Sequence, residues 1–191
     1  YKLLTYKNII NNMKNILVTG GGGFIGSHTC LVLLEKGYKV FVIDSFENSS
    51  PKALKKVLEI TKLKNIKSDE HLKLFKGDMR NINFIESVFS EIIKNYKSLD
   101  GVIHFSGLKA VAESIYNPIL YWKTNVLGTI NLLEIMSKYK IKNLVFSSSA
   151  TVYANNQGSC LKENSELKPI NPYGNTKLTV EILLDDLFKS S

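Results

Sequence analysis

The chain has 191 residues, 44% of them hydrophobic and 22% charged, which excludes disordered, collagen-like and low-complexity proteins and fits one soluble globular domain. The formal charge is +8, but residues 1–15 (three lysines, no acid) and residues 51–76 (eight lysines, three acids) hold all of the excess. Arg80 is the only arginine, and lysines without arginine or interleaved aromatics make a poor base-reading surface, so neither nucleic acid nor membrane is an expected partner.

Residues 1–13 read as a tail. The first expected strand is Asn15–Thr19, whose Ile16-Leu17-Val18 is apolar throughout, as a strand covered on both faces requires. Thr19-Gly20-Gly21-Gly22-Gly23-Phe24-Ile25-Gly26-Ser27 then opens an expected helix over 24–36. Glycines let phosphate oxygens approach the backbone, and the helix N-terminus offers N–H donors and partial positive charge to a pyrophosphate. A triphosphate loop needs a lysine after the last glycine, where Ser27-His28 stand instead.

The second strand, Lys39–Ile43, ends on Asp44, 18 positions beyond Gly26. A carboxylate there accepts both hydroxyls of an adenosine ribose. It also repels a 2′-phosphate, with no arginine near it in sequence, which points to NAD over NADP. A helix is expected over 51–62 and a third strand over 71–75, with Asp78 beyond it as an acceptor for an adenine amino group. Next come a helix over 81–96, a strand over 101–105, a helix over 118–139 and a strand over 143–147.

At the carboxyl end of that fifth strand stands Ser147-Ser148-Ser149-Ala150-Thr151-Val152-Tyr153, where ligands bind in sheets of this kind, with Ser149 or Thr151 as a hydrogen-bond bridge. The polar stretch 154–169 reads as a surface loop, and a last helix is expected over 172–189. Pro51, Pro118 and Pro172 each suit a first helical position, which loses nothing from a missing N–H. Short apolar runs alternating with amphipathic stretches describe an α/β fold with a doubly wound parallel sheet, Rossmann-like, over 14–191.

Tyr173 and Lys177, four residues apart, share a helical face. A free phenol loses its proton near pH 10, and a fixed cation beside it favours the phenolate, so the pair suits proton transfer. His28, His71 and His104 are scattered relative to Cys30 and Cys160, and no metal is expected. Two cysteines, no signal-peptide pattern and no apolar run near the roughly 20 residues a bilayer requires point to a reducing, cytoplasmic compartment.

Val18 to Thr29, Val102 to Ser114, Phe146 to Tyr153 and Tyr173 to Lys177 together resemble the UDP-glucose 4-epimerases of the extended short-chain dehydrogenase/reductase superfamily, from about Lys14 onward. The resemblance implies NAD as cofactor and 4-epimerisation of a UDP-sugar, UDP-glucose or UDP-galactose, through a transient 4-keto sugar, in galactose metabolism. It gives Tyr173 the acid–base role, Lys177 the tuning of Tyr173 and the nicotinamide ribose, and Ser149 a part in passing the proton. Cofactor contacts follow at Gly20, Gly23, Phe24, Ile25 and Gly26 for the pyrophosphate, and at Asp44, Ser45, Asn48 and Ser49 for the ribose. Asp78 and Met79 meet the adenine, and Phe105, Ser106, Gly107, Lys109 and Asn125 line the middle.

Sugar-nucleotide dehydratases of the same superfamily carry an acidic pair after the serines, where this chain has Ala150-Thr151. Ser106 and Ala154 depart from the alanine and glycine usual at those positions. The resemblance further implies a C-terminal substrate domain that these residues do not supply, a fragment inactive alone, and a homodimer at full length. A non-catalytic NAD-binding module and another sugar-nucleotide enzyme of the superfamily are the alternative readings.

Overall fold

A computed structural model describes residues 14–66, 68–154 and 160–190. The expected tail, 1–13, lies outside them. Five parallel strands form one sheet in the order β3-β2-β1-β4-β5: β1 Asn15–Thr19, β2 Lys39–Asp44, β3 Leu72–Lys76, β4 Gly101–His104 and β5 Leu144–Phe146. Parallel neighbours need crossovers, and the helices supply them: α1 Phe24–Glu35, α2 Pro51–Leu63, a short α3 Ser68–His71, α4 Ile82–Tyr96, α5 Val111–Tyr116, α6 Pro118–Tyr121, α7 Gly128–Lys138 and α8 Pro172–Ser190.

Strand alternation divides the core into two layers. Leu17, Phe41, Ile43 and Val102 point to one face, packed under Ile85, Phe89 and Ile92 of α4 and Leu132 and Ile135 of α7. Val18, Val40 and Val42 point to the other face, beneath Cys30 and Leu34 of α1 and Leu54 and Val57 of α2. Helices on both faces make the sheet doubly wound, as the apolar strands require. Cys30 is fully buried in the second layer, and burial pushes its thiol up to about 12, so it packs as a small apolar residue.

The structure revises several boundaries. The helix expected over 118–139 is broken: α6 runs into a π-helical segment, Trp122–Leu127, before α7 begins. Helix α5 is additional, as are α3 and a 3-10 turn at Ala150–Val152. β3 starts one residue later than expected, because α3 takes His71, and β5 is shorter at both ends. Within 154–169, residues 155–159 lie outside the described part, and Tyr153 makes an antiparallel bridge to Leu167.

Candidate active site

A cleft of about 360 Å³ runs along the carboxyl ends of the strands. Its floor begins at the glycine turn. Gly20 has φ +70°, and a Cβ on it would lie 2.7 Å from the Ser106 nitrogen, while one on Gly26 would lie 2.2 Å from the Gly20 carbonyl oxygen. Only glycine permits α1 and the Phe105–Lys109 loop to close on the turn this tightly. No side chain caps the N-terminus of α1, and Phe24, Ile25 and Gly26 of its first turn line the cleft. Backbone donors are thus available to an anion there.

At the end of β2, buried Asp44 is gripped by three donors. Its Oδ2 accepts from Gly22 N at 2.7 Å, and its Oδ1 accepts from Phe46 N at 2.8 Å and Ser49 Oγ at 2.7 Å. The Phe46 turn puts a non-glycine residue at φ +60°, a conformation the Asp44 bond helps to hold. A carboxylate has about four acceptor directions, so Asp44 retains one rather than the pair expected for a ribose diol.

Asp78 also differs from expectation. Its carboxylate is bound by Arg80, Nε at 2.9 Å and Nη2 at 2.5 Å from Oδ2, and Arg80 Nη2 reaches Glu47 at 3.5 Å. The Arg80 hydrogen bonds hold the Asp78 carboxyl below the usual range. An arginine therefore does stand at this end of the cleft, which the sequence spacing missed. It is countered by Asp78 and Glu47, and with Asp44 the local balance stays negative.

The opposite wall lies at β4, β5 and α8. Asn171 directly precedes α8, its Oδ1 accepting from Gly174 N at 2.8 Å, and Tyr173 N donates to Ser114 Oγ of α5 at 3.2 Å. Tyr173 and Lys177 are buried and both line the cleft. Lys177 Nζ donates to the Ser147 carbonyl at 2.9 Å, lies 4.7 Å from the centre of the Phe146 ring and 6.0 Å from that of Tyr173. Burial lowers its ammonium pKa to about 8, against a smaller opposing effect of Glu181.

Of the expected contact residues, Ser45, Asn48, Ser49, Met79, Phe105, Ser106, Gly107 and Lys109 join these along the cleft. Ser149 and Thr151 do not line it: Ser149 Oγ caps the 3-10 turn by accepting from Thr151 N at 3.3 Å, and also accepts from Thr151 Oγ1 at 2.9 Å. Ser147 and Ser148 line the cleft instead, because strand alternation and the turn decide which serine faces in. Asn125 lies behind the wall. Its Oδ1 accepts from Leu108 N at 2.8 Å, and its Nδ2 donates to Leu108 O at 3.0 Å and to Thr176 Oγ1 at 3.1 Å.

Glu47 lines the cleft within the expected 44–49 stretch, and Thr124 and Gly77 line it without having been singled out. Among the described residues, two buried side-chain oxygens have no hydrogen-bond partner, Thr124 Oγ1 and Ser148 Oγ, and both line this cleft. Buried polar groups are normally paired. Two unpaired hydroxyls beside Tyr173 and Lys177, a glycine-floored turn under free helix N–H groups, and an acid at the end of β2 fit a polar, phosphate-containing dinucleotide. No group of three or more metal-ligating side chains occurs among the described residues, and none of their helices is long and apolar enough to cross a membrane.

The family model described as GDP-mannose 4,6 dehydratase matches residues 17–190. The chain is 45% identical to UDP-glucose 4-epimerase 2 of Arabidopsis thaliana over 93% of its length and 48% of the relative's. It is 46% identical to the UDP-glucose 4-epimerase of Bacillus subtilis (strain 168), over 90% of this chain and 47% of that one. The crystal structure of the Bifidobacterium longum UDP-glucose 4-epimerase in complex with NAD+ and UDP superposes with a TM-score of 0.83 at 41% identity, covering 93% of this chain and 50% of that one. The chain thus spans about half the length of the relatives it matches.

Proposed function

The chain belongs to the GDP-mannose 4,6-dehydratase family, and we propose that the full-length protein is an NAD-dependent 4-epimerase interconverting UDP-glucose and UDP-galactose. One observation carries this: Tyr173 and Lys177 are buried together on the cleft wall, behind a turn that holds Ala150-Thr151 in place of acids. The carboxylates that line the cleft, Asp44, Glu47 and Asp78, follow β2 and β3, across β1 from Tyr173. Dehydration needs an acid and a base at the carbons next to C4, and this wall offers neither. The relatives' names and the NAD+ and UDP of the Bifidobacterium longum complex support the same reading.

NAD, when bound, supplies the acceptor and donor of hydride at C4 of the sugar. The backbone of Phe24, Ile25 and Gly26 receives the pyrophosphate. Asp44 takes one ribose hydroxyl with its remaining acceptor position, and the Ser49 hydroxyl can rotate to free a second. The negative balance at Asp44, Glu47 and Asp78 disfavours a 2′-phosphate despite Arg80. Tyr173 Oη accepts the proton of the sugar 4-hydroxyl and later returns it to the 4-keto oxygen. The Lys177 cation, fixed by the Ser147 carbonyl, stabilises the phenolate that takes up this proton and that forms again when the proton is returned. Ser148 and Thr124 offer free hydroxyls to the ligand, with Ser149 reaching it only if its bond to Thr151 is released.

The protein works in the cytoplasm, in galactose metabolism, as a homodimer. Exposed Ile115, Tyr116 and Ile119 of α5–α6 and Ile182 and Phe188 of α8, which packs on them, support such an interface. Full-length protein given UDP-glucose should form UDP-galactose, and Tyr173→Phe should slow this by at least about 100-fold, the usual scale of acid–base catalysis. Undiminished turnover in that variant would sink the mechanism, and NAD binding with no epimerisation of any UDP-hexose would favour a binding module.

A further inference from the structure

His104 ends β4 and is 2% exposed, yet it does not line the cleft and has no part in the chemistry above. Its ring is hydrogen-bonded at both nitrogens: Nδ1 lies 2.5 Å from Thr19 Oγ1 and Nε2 lies 2.9 Å from Thr129 Oγ1. The flanking contacts fix the proton positions. Thr129 Oγ1 is 2.5 Å from the Asn125 carbonyl oxygen, a pair that repels unless the threonine proton lies between them. Thr129 Oγ1 can then only accept from His104, so the ring proton is on Nε2 and Nδ1 is an acceptor. Thr19 accordingly donates to Nδ1, and its oxygen accepts from Ser106 N at 3.3 Å. The hydroxyls of Thr19 and Thr129 are then each satisfied as donor and as acceptor.

The chain continues at both ends into the cleft walls. Thr19 directly precedes the glycine turn, and Ser106 belongs to the loop that packs on Gly20. At the far end Asn125 clamps Leu108 and bonds Thr176, whose hydroxyl donates to the Tyr173 carbonyl at 2.7 Å. We propose that His104 is a positioning residue: held as one tautomer between Thr19 and Thr129, it locks the pyrophosphate turn, the Phe105–Lys109 loop and the Tyr173 helix into a single register. The inference rests on the NAD-binding reading of the cleft, not on which sugar is turned over. Consistent with it, burial and the Lys177 charge depress the imidazole pKa to about 3, so His104 stays neutral and the chain keeps one polarity.

The test measures NAD affinity by direct titration of full-length apoprotein, together with kcat and KM for UDP-glucose. Interrupting the network by Thr129→Val or by His104→Phe, each of which removes two of its hydrogen bonds, should weaken NAD binding about tenfold and lower kcat, with KM within about twofold. Thr129→Ser, which keeps the hydroxyl and loses the methyl, should restore NAD affinity to within about twofold, and the double variant should be no worse than His104→Phe alone. A serine variant as weak as the valine variant, unchanged NAD affinity in both single variants, or an additive double variant would each overturn the proposal. If His104→Phe does not fold, the Thr129 pair decides. If the wild type binds NAD but epimerises nothing, the functional reading fails while the affinity measurements still judge His104.

Discussion

Gly174 faces the carbonyl of Thr151 so closely that a Cβ on it would lie 2.5 Å from that oxygen and 2.8 Å from Pro169 Cβ. The residue after the proposed acid–base tyrosine is therefore where α8 docks on the serine-bearing turn. In an exposed helix interior, glycine to alanine stabilises by about 1 kcal/mol. Here the sign should reverse: Gly174→Ala pushes α8 from backbone that cannot yield and destabilises by about 2 kcal/mol. Denaturant midpoints at constant m-value measure this, and a more stable variant would show that the turn and helix can separate at little cost.

Asp44 gathers Gly22 N, Phe46 N and Ser49 Oγ on one carboxylate. Asp44→Ala strands two backbone donors as well as removing the proposed ribose acceptor, and should cost about 3 kcal/mol of stability. Its loss of NAD affinity should exceed that of Ser49→Ala, which removes one donor and leaves the carboxylate. Calorimetric titration with NAD compares the two.

Lys177 sets a stability window in base. Its folded pKa is lowered from 10.5 to about 8 by burial, so the unfolded chain binds more protons between those values and folding stability rises with pH there. Lys177→Met carries no such charge. The stability of wild type relative to Lys177→Met should therefore be lowest below about pH 8, climb from about pH 8 to 10.5, and level above, as followed by thermal unfolding across pH. A flat difference would mean the ammonium is better solvated than its burial implies.

In acid the corresponding window belongs to His104, whose pKa falls from 6.5 to about 3 through burial and the Lys177 charge. Stability from this group is intact above about pH 6.5 and lost progressively as pH falls toward 3, because only the unfolded chain takes up the proton. His104→Gln should show a shallower acid slope than wild type in urea denaturation between pH 6.5 and 4, whatever its stability at neutral pH.

Much of this site was legible before the fold was. Gly20 to Gly26, Asp44 and the Tyr173/Lys177 spacing obey local rules: a turn needs glycine, a strand end presents its next side chain, and four residues make one helical turn. The prolines at 51, 118 and 172 marked helix starts for an equally local reason. The break at Trp122–Leu127 was not legible, because one extra residue in a helical turn leaves the apolar spacing almost unchanged. That π segment carries both Thr124, in the cleft wall, and Asn125, behind it.

The sequence by itself determined a doubly wound sheet and most of the residues that line the cleft at its strand ends, since periodicity and glycine chemistry act between near neighbours. Tertiary structure alone decided that Ser147 and Ser148 rather than Ser149 face the cleft, and that His104 joins Thr19 to Thr129. The two His104 bonds span 85 and 25 residues of chain. They depend on how strands register and helices pack, and hydrogen-bond partners brought together in that way leave no periodic trace in the sequence.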